Sequence, residues 1–208
     1  MRMNFSIVIP LILLLLGCAE RPGIKGVFTR DIADLKDGKS DMLCNITSTR
    51  DSIRIDTLEN GFDSMQIRIW FGYVRTDTIQ ILALKNSNHV WSSKYYEVLR
   101  HINRRRDSLL YYSFWEKALP ERLDLGAIVD SLVKMNILTL PDCRKVPNYD
   151  FPFDGGSSVV FEIATPNIYR LYYYQNPGTF NNSKEAVDVN QILNLLAMNF
   201  NIKYLRKF

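Results

Sequence analysis

The chain is read as an α+β protein: a mostly antiparallel sheet with two helices in the C-terminal half, following a cleaved signal peptide. Three observations predict this. Apolar and polar residues alternate with period two between residues 53 and 83 and again between 159 and 173. After Pro120 the apolar residues recur instead at helical spacing, twice. The first sixteen residues form a basic start and an apolar run too short to cross a bilayer.

The amino terminus reads MRMNFSIVIPLILLLLGC. Arg2 supplies the positive start, and Phe5 to Leu16 is apolar apart from Ser6 and Pro10. That length suits a signal-peptide core and falls short of the ~20 residues of a membrane-spanning helix. The residues that follow, Ala19 to Gly23, carry no stop-transfer pattern. Leu15-Leu16-Gly17-Cys18 resembles the lipobox of bacterial lipoproteins. Gly17 is the small residue required before the cut, and the Cys18 thiol is the atom a lipid thioether needs; Leu16 departs from the small or β-branched residue more usual there. The resemblance implies a signal over 1–17, lipidation of Cys18 and a tether over 18–26; the length that remains suits a single domain over 27–208, or at most two small ones. Ala19 after the cysteine resembles the outer-membrane sorting pattern. Two or more acyl chains, at about 0.8 kcal/mol per buried CH₂, would anchor the protein stably.

Residues 24–49 are expected to form loop and short strands, with a polar turn at Lys36-Asp37-Gly38-Lys39. Ile53 and Ile55, alternating with Arg54 and Asp56, predict a strand, and Glu59-Asn60-Gly61 a turn after it. Met65, Ile67, Ile69, Phe71 and Tyr73 share one face opposite Gln66, Arg68 and Trp70, which predicts a half-buried strand. Ile79, Ile81 and Ala83 continue the pattern. Residues 89–101 and 108–115 read as further strands, with a helix over 95–102 as the alternative.

Leu125, Ile128, Val129, Leu132 and Val133 predict an amphipathic helix over 121–136, closed by Leu140-Pro141-Asp142. A loop over 144–157 follows. Val159, Phe161 and Ile163, then Thr165-Pro166-Asn167, then Tyr169, Leu171 and Tyr173 predict a hairpin. Within it Tyr173 is expected in the core and its two tyrosine neighbours partly exposed. Asn182 with Glu185 resembles a capping box opening a last helix, whose stripe is Val189, Ile192, Leu193, Leu196 and Phe200. The segment from Ile137 to Pro177, with its Leu-Pro-Asp, Asp-Gly-Gly and Tyr-Arg-Leu-Tyr-Tyr-Tyr runs, loosely resembles uncharacterised secreted proteins and lipoproteins of the Bacteroidota type. That resemblance implies no activity.

Composition is that of an ordinary globular protein, with a formal charge of +4 that falls by one when Arg2 leaves with the signal. So mild a charge gives no ground for a nucleic-acid partner. Beyond Cys18 two cysteines remain, Cys44 and Cys143. An even pair in an oxidising envelope points to one disulfide, and two free thiols are the alternative. Closing a loop of that length would contribute about 4–5 kcal/mol in the chain-entropy model.

No catalytic or metal constellation stands out, and no cofactor is expected. His89 and His101 are the only histidines and lack zinc-ligand spacing. Asp150, Asp154 and Glu162 bracket a glycine loop and form the one carboxylate group with acid–base or calcium-binding potential, though Asp154-Gly155-Gly156 also reads simply as a turn. Arg104-Arg105-Arg106 is either a solvated loop or a contact for anionic headgroups.

Six triplets read Asp, hydroxyl, apolar: at 51–53, 56–58, 63–65, 77–79, 107–109 and 130–132. They resemble the acceptor motif of Bacteroidota O-glycosylation, which implies Ser52, Thr57, Ser64, Thr78 and Ser108 as acceptors. Strand ends leaving a turn also read this way. The leading expectation is a non-enzymatic envelope lipoprotein with a protein or glycan partner. A hydrolase or transferase of envelope polymers, and an immunity or inhibitor lipoprotein, are the alternatives.

Overall fold

A computed structural model of the chain describes residues 28–36, 39–72, 77–103, 108–120, 123–149, 158–179 and 183–202. The signal, Cys18 and its tether lie outside the described residues. So do Arg104 to Arg106, Asp150 and Asp154.

The strands are β1 (Thr29–Ile32), β2 (Gln66–Phe71), β3 (Thr78–Ser87), β4 (Val90–Asn103), β5 (Ser108–Lys117), β6 (Ser158–Ala164) and β7 (Ile168–Gln175). The helices are α1 (Asp41–Ile53), α2 (Leu125–Lys134) and α3 (Lys184–Phe200). The strands form one sheet in the order β1-β7-β6-β2-β3-β4-β5. Neighbours are antiparallel except β1, which runs parallel to β7. The mostly antiparallel α+β sheet is therefore as expected, with a parallel edge added.

The helices are not confined to the C-terminal half. Ile46 and Ile53 of α1 pack on one face of the sheet with Trp70, Ile79, Ile81, Val160 and Leu171. On the other face α2 and α3 pack over Ile69, Leu82, Phe161 and Tyr172. The sheet is the middle of three layers. Each large apolar side chain buried in this way contributes about 1.5–3 kcal/mol.

Because both faces are covered, every residue of β2 and β6 is buried. This corrects the half-buried reading of β2: Gln66, Arg68 and Trp70 face a second core, not water. It also inverts the tyrosine run. Tyr172 and Tyr174 are buried under α2 and α3, while Tyr173 on the α1 face is half-buried.

Residues 41–53, expected as loop and strand, form α1 instead. Ser40 caps it, its hydroxyl accepting from the Leu43 N–H at 3.1 Å. Arg54 ends it in the left-handed region at φ 57°. Thus Ile53 and Ile55 belong to a helix end and the loop after it. The Glu59-Asn60-Gly61 turn is present, but it joins α1 to β2; Gly61 sits at φ 91° and donates its N–H to the Leu58 carbonyl.

The 165–167 turn joins β6 to β7 as expected, with the Thr165 hydroxyl accepting from the N–H groups of Asn167 and Ile168. α2 begins at Leu125, where Asp124 caps it. α3 is capped by Ser183, which accepts from the Ala186 N–H at 3.1 Å. The cap is therefore not Asn182, which lies outside the described residues. The predicted stripe of α3 is buried throughout.

Candidate functional site

The α1 face of β2 and β6 carries the most unusual chemistry in the molecule. Arg68 and Glu162 lie directly opposite each other across the β2–β6 pairing. Both are 0% exposed, and Arg68 Nη1 donates to Glu162 Oε2 at 3.3 Å. Trp70 Nε1 donates to the same oxygen at 3.2 Å, and the Tyr169 hydroxyl donates to Oε1 at 3.3 Å. Arg68 Nη2 donates to the Asp56 carbonyl at 2.6 Å. Burial pushes the Glu162 carboxyl up from its ordinary value, against the opposing pull of Arg68 and the two neutral donors. Nearby, Glu59 accepts from Arg50 and Thr47. Burial would raise the Glu59 carboxyl, but a backbone N–H, Arg50 and Thr47 outweigh it and hold the group below its ordinary value.

Beside this buried pair the sheet face opens. Beyond the end of α1, at the Gln66, Lys85 and Lys94 end of β2, β3 and β4, lies a cavity of about 300 Å³. Its walls are Gln66, Arg68, Lys85, Lys94 and Tyr96 from the strands, with Arg54 to Asp56 from the segment after α1. Lys85 pairs with Asp56 at 3.0 Å and Lys94 with Glu116 at 3.0 Å. The lining is thus polar and predominantly cationic. It offers donors and charge, and no pair of carboxylates converges in it: Glu162 stands behind Arg68 and does not line it.

A second feature is the β5 edge, where the sheet ends. Leu109, Leu110, Tyr111, Phe114 and Trp115 are all exposed, Leu110 at 60% and Tyr111 at 57%. Among the described residues the strand pairs only with β4, with a register shift at His101/Ile102.

The residues singled out from sequence fall as follows. Cys44 is exposed on α1, and Cys143 is buried in a single 3₁₀ turn among the α2 and α3 core. Both thiols are free, so the two are not bridged. Burial, with Asp142 beside it, pushes the Cys143 thiol up to about 12.

Ser52 is exposed in the last turn of α1 and donates to the Ser48 carbonyl at 2.8 Å. Thr57 is exposed in the loop before β2. Ser64 is half-buried and donates to Asn86 Oδ1 at 3.1 Å. Thr78 is half-buried at the start of β3, and Ser108 is exposed at the start of β5.

His89 is exposed in the β3–β4 turn at φ 64°. His101 lies 2.9 Å from the Ser113 hydroxyl and stacks on Tyr111. Among the described residues no three His, Cys, Asp or Glu side chains are grouped to hold a metal. None of the described helices is long and apolar enough to cross a membrane. Glu162 lies within β6 and is fully buried, so it does not face the glycine loop of the sequence reading as an exposed carboxylate.

Sequence reasoning took Gln66 and Arg68 for a solvent face and missed the cavity. The available signal was an arginine within a β-branched and aromatic strand, matched by a glutamate in a second such strand. Comparison of the chain with protein-family profiles, with curated proteins and with solved structures returned no match.

Proposed function

We propose that the chain is an envelope lipoprotein, anchored through a lipid on Cys18 in the outer membrane, and that it acts as a non-enzymatic binding protein. Its contact surface in this reading is the β5 edge, and the occupant is an extended strand of a protein partner. The exposed edge carries the reading. A ten-residue edge strand whose outer side is paired to no other strand among the described residues, with five exposed apolar side chains, is a template for strand addition. Natural edges are usually blunted by lysine, proline or brevity. Here Glu116 and Lys117 protect one end only. Residues Tyr111 and Trp115 project on the α2 and α3 side and Phe114 on the α1 side, so a strand added there finds apolar contacts on both faces.

The test is envelope capture with the lipidated protein and its Leu110→Lys/Trp115→Lys variant. A partner held at stoichiometry by the parent and lost by an equally stable variant supports the reading. Equal capture by both, or a concentration-dependent homodimer that the variant abolishes, refutes it. Anchoring is tested separately by fractionating Cys18→Ala: a variant that stays in the membrane pellet ends that part of the proposal. Glycosylation is proposed as well. Thr57, exposed on irregular backbone, is the acceptor best presented for modification, and a native mass equal to that of the lipidated polypeptide alone refutes it.

A further inference from the structure

From the cavity beside Arg68 we infer a binding site for a small hydroxylated carboxylate of the acidic-sugar class, separate from the β5 edge. The first argument is unmet hydrogen bonding. Gln66 is 4% exposed and Arg68 fully buried, and both line the cavity. Gln66 Oε1 and Arg68 Nε have no hydrogen-bond partner among the described residues. Buried polar atoms of this kind are ordinarily satisfied. One is an acceptor in need of a donor, and the other is a donor in need of an acceptor. A ligand that answers both carries hydroxyl groups as well as an anionic or carbonyl oxygen.

The second argument is charge. Arg68 is balanced by Glu162, and Lys85 and Lys94 each have a carboxylate partner. Arg54, at the rim, makes no ion pair among the described residues. An incoming carboxylate supplies its counter-charge.

The third argument is the backbone. Arg54 occupies the left-handed position that ends α1, where glycine or asparagine is the usual and less strained residue. The strained choice places a guanidinium at the cavity mouth. The remaining walls suit a sugar: the Ser92 hydroxyl, on the same face of β4 as Lys94, and the ring of Tyr96 as an apolar floor. At about 300 Å³ the space is at the small end of ligand pockets, enough for one molecule of monosaccharide size.

The experiment titrates the full chain with glucuronate, with glucose and with inorganic phosphate, by calorimetry and by amide shift perturbation. Glucuronate is expected to bind at least roughly tenfold more tightly than either control, since glucose lacks the anionic group for Arg54 and phosphate lacks the ring that packs on Tyr96. Shifts should concentrate on β2, β3 and residues 54–56. Arg54→Gly is the decisive variant. It relieves the left-handed strain, so its melting temperature should equal or exceed the parent's, while its glucuronate affinity falls about tenfold or more. Gln66→Met, close to isosteric, should weaken binding similarly. Three outcomes overturn the proposal: no glucuronate binding by the parent, phosphate binding as tightly as glucuronate, or unchanged affinity in a folded Arg54→Gly.

Discussion

Replacing Arg68 by methionine tests the buried pair most directly. The substitution keeps most of the side-chain volume and removes the charge that faces Glu162. Glu162 would retain the Trp70 and Tyr169 hydrogen bonds but lose its counter-ion in a fully buried site. Breaking one side of a buried pair costs about 3–5 kcal/mol. For a domain of this size that corresponds to a loss of about 6–20 °C in melting temperature.

The cost should depend on pH, and its sign is fixed. The Glu162 carboxyl is already raised above its ordinary value in the folded protein, and removing Arg68 takes away the main force lowering it. Between the unfolded and folded values the native state holds a proton that the unfolded chain releases. Stability therefore rises as pH falls through that window. The gap between variant and parent should be widest near pH 8 and should narrow toward pH 5.

Adding Glu162→Gln then removes the stranded charge, keeps an amide oxygen to accept from Trp70, and turns the other position into an N–H that can donate to the Tyr169 hydroxyl. The double variant should recover at least about 2 kcal/mol relative to the sum of the single costs. Urea unfolding of parent, singles and double, each at pH 5 and pH 8, measures all of this. Single costs that add within about 0.5 kcal/mol, or a gap that widens in acid, would refute the account.

Three further outcomes follow from the same structure. Tyr149, Tyr169, Tyr172 and Tyr174 are all pushed upward by burial, so the unfolded chain ionises first as pH rises past about 10. The urea midpoint should accordingly hold to about that pH and then fall steeply. Iodoacetamide at neutral pH should label Cys44 and leave Cys143 unmodified until urea unfolds the protein, as peptide mapping would record. Gly61→Ala should destabilise by about 1–2 kcal/mol in urea, because its Cβ would sit 2.9 Å from the Phe28 ring and 3.0 Å from the Thr165 carbonyl at φ +91°.

The elements legible in the sequence are those whose side chains declare a period. The β6–β7 hairpin and the stripe of α3 needed no tertiary knowledge: apolar residues fall at every second position in one, and at three- and four-residue steps in the other. α1 was illegible for a physical reason. Its sequence, DMLCNITSTRDSI, is dominated by Thr, Ser, Asn and Asp, which form helices weakly and suit turns or strand ends equally well. Its buried side includes Thr49 and Arg50 beside Ile46 and Ile53, so no clean stripe appears. The helix exists because Ser40 caps it and the sheet gives its few isoleucines somewhere to go.

The candidate site was hidden in a different way. Arg68 and Glu162 stand 94 residues apart, and only the β2–β6 pairing sets them opposite each other. Alternation correctly put Arg68 on the face away from Ile67 and Ile69. It had no means of telling that a helix covers that face, and so it assigned the arginine to water.

The parallel strand at the far edge has a bearing on reach. β1 is the first described strand, and it seals the margin opposite β5 by docking against β7. Six inter-strand steps of about 4.8 Å place the two margins roughly 29 Å apart. Under the proposed anchor at Cys18, the margin nearer the amino terminus and the exposed strand would be opposite ends of a stiff spacer. The sheet itself would then set the standoff: a longer segment before β1 would change the freedom of that margin without altering the span across the strands.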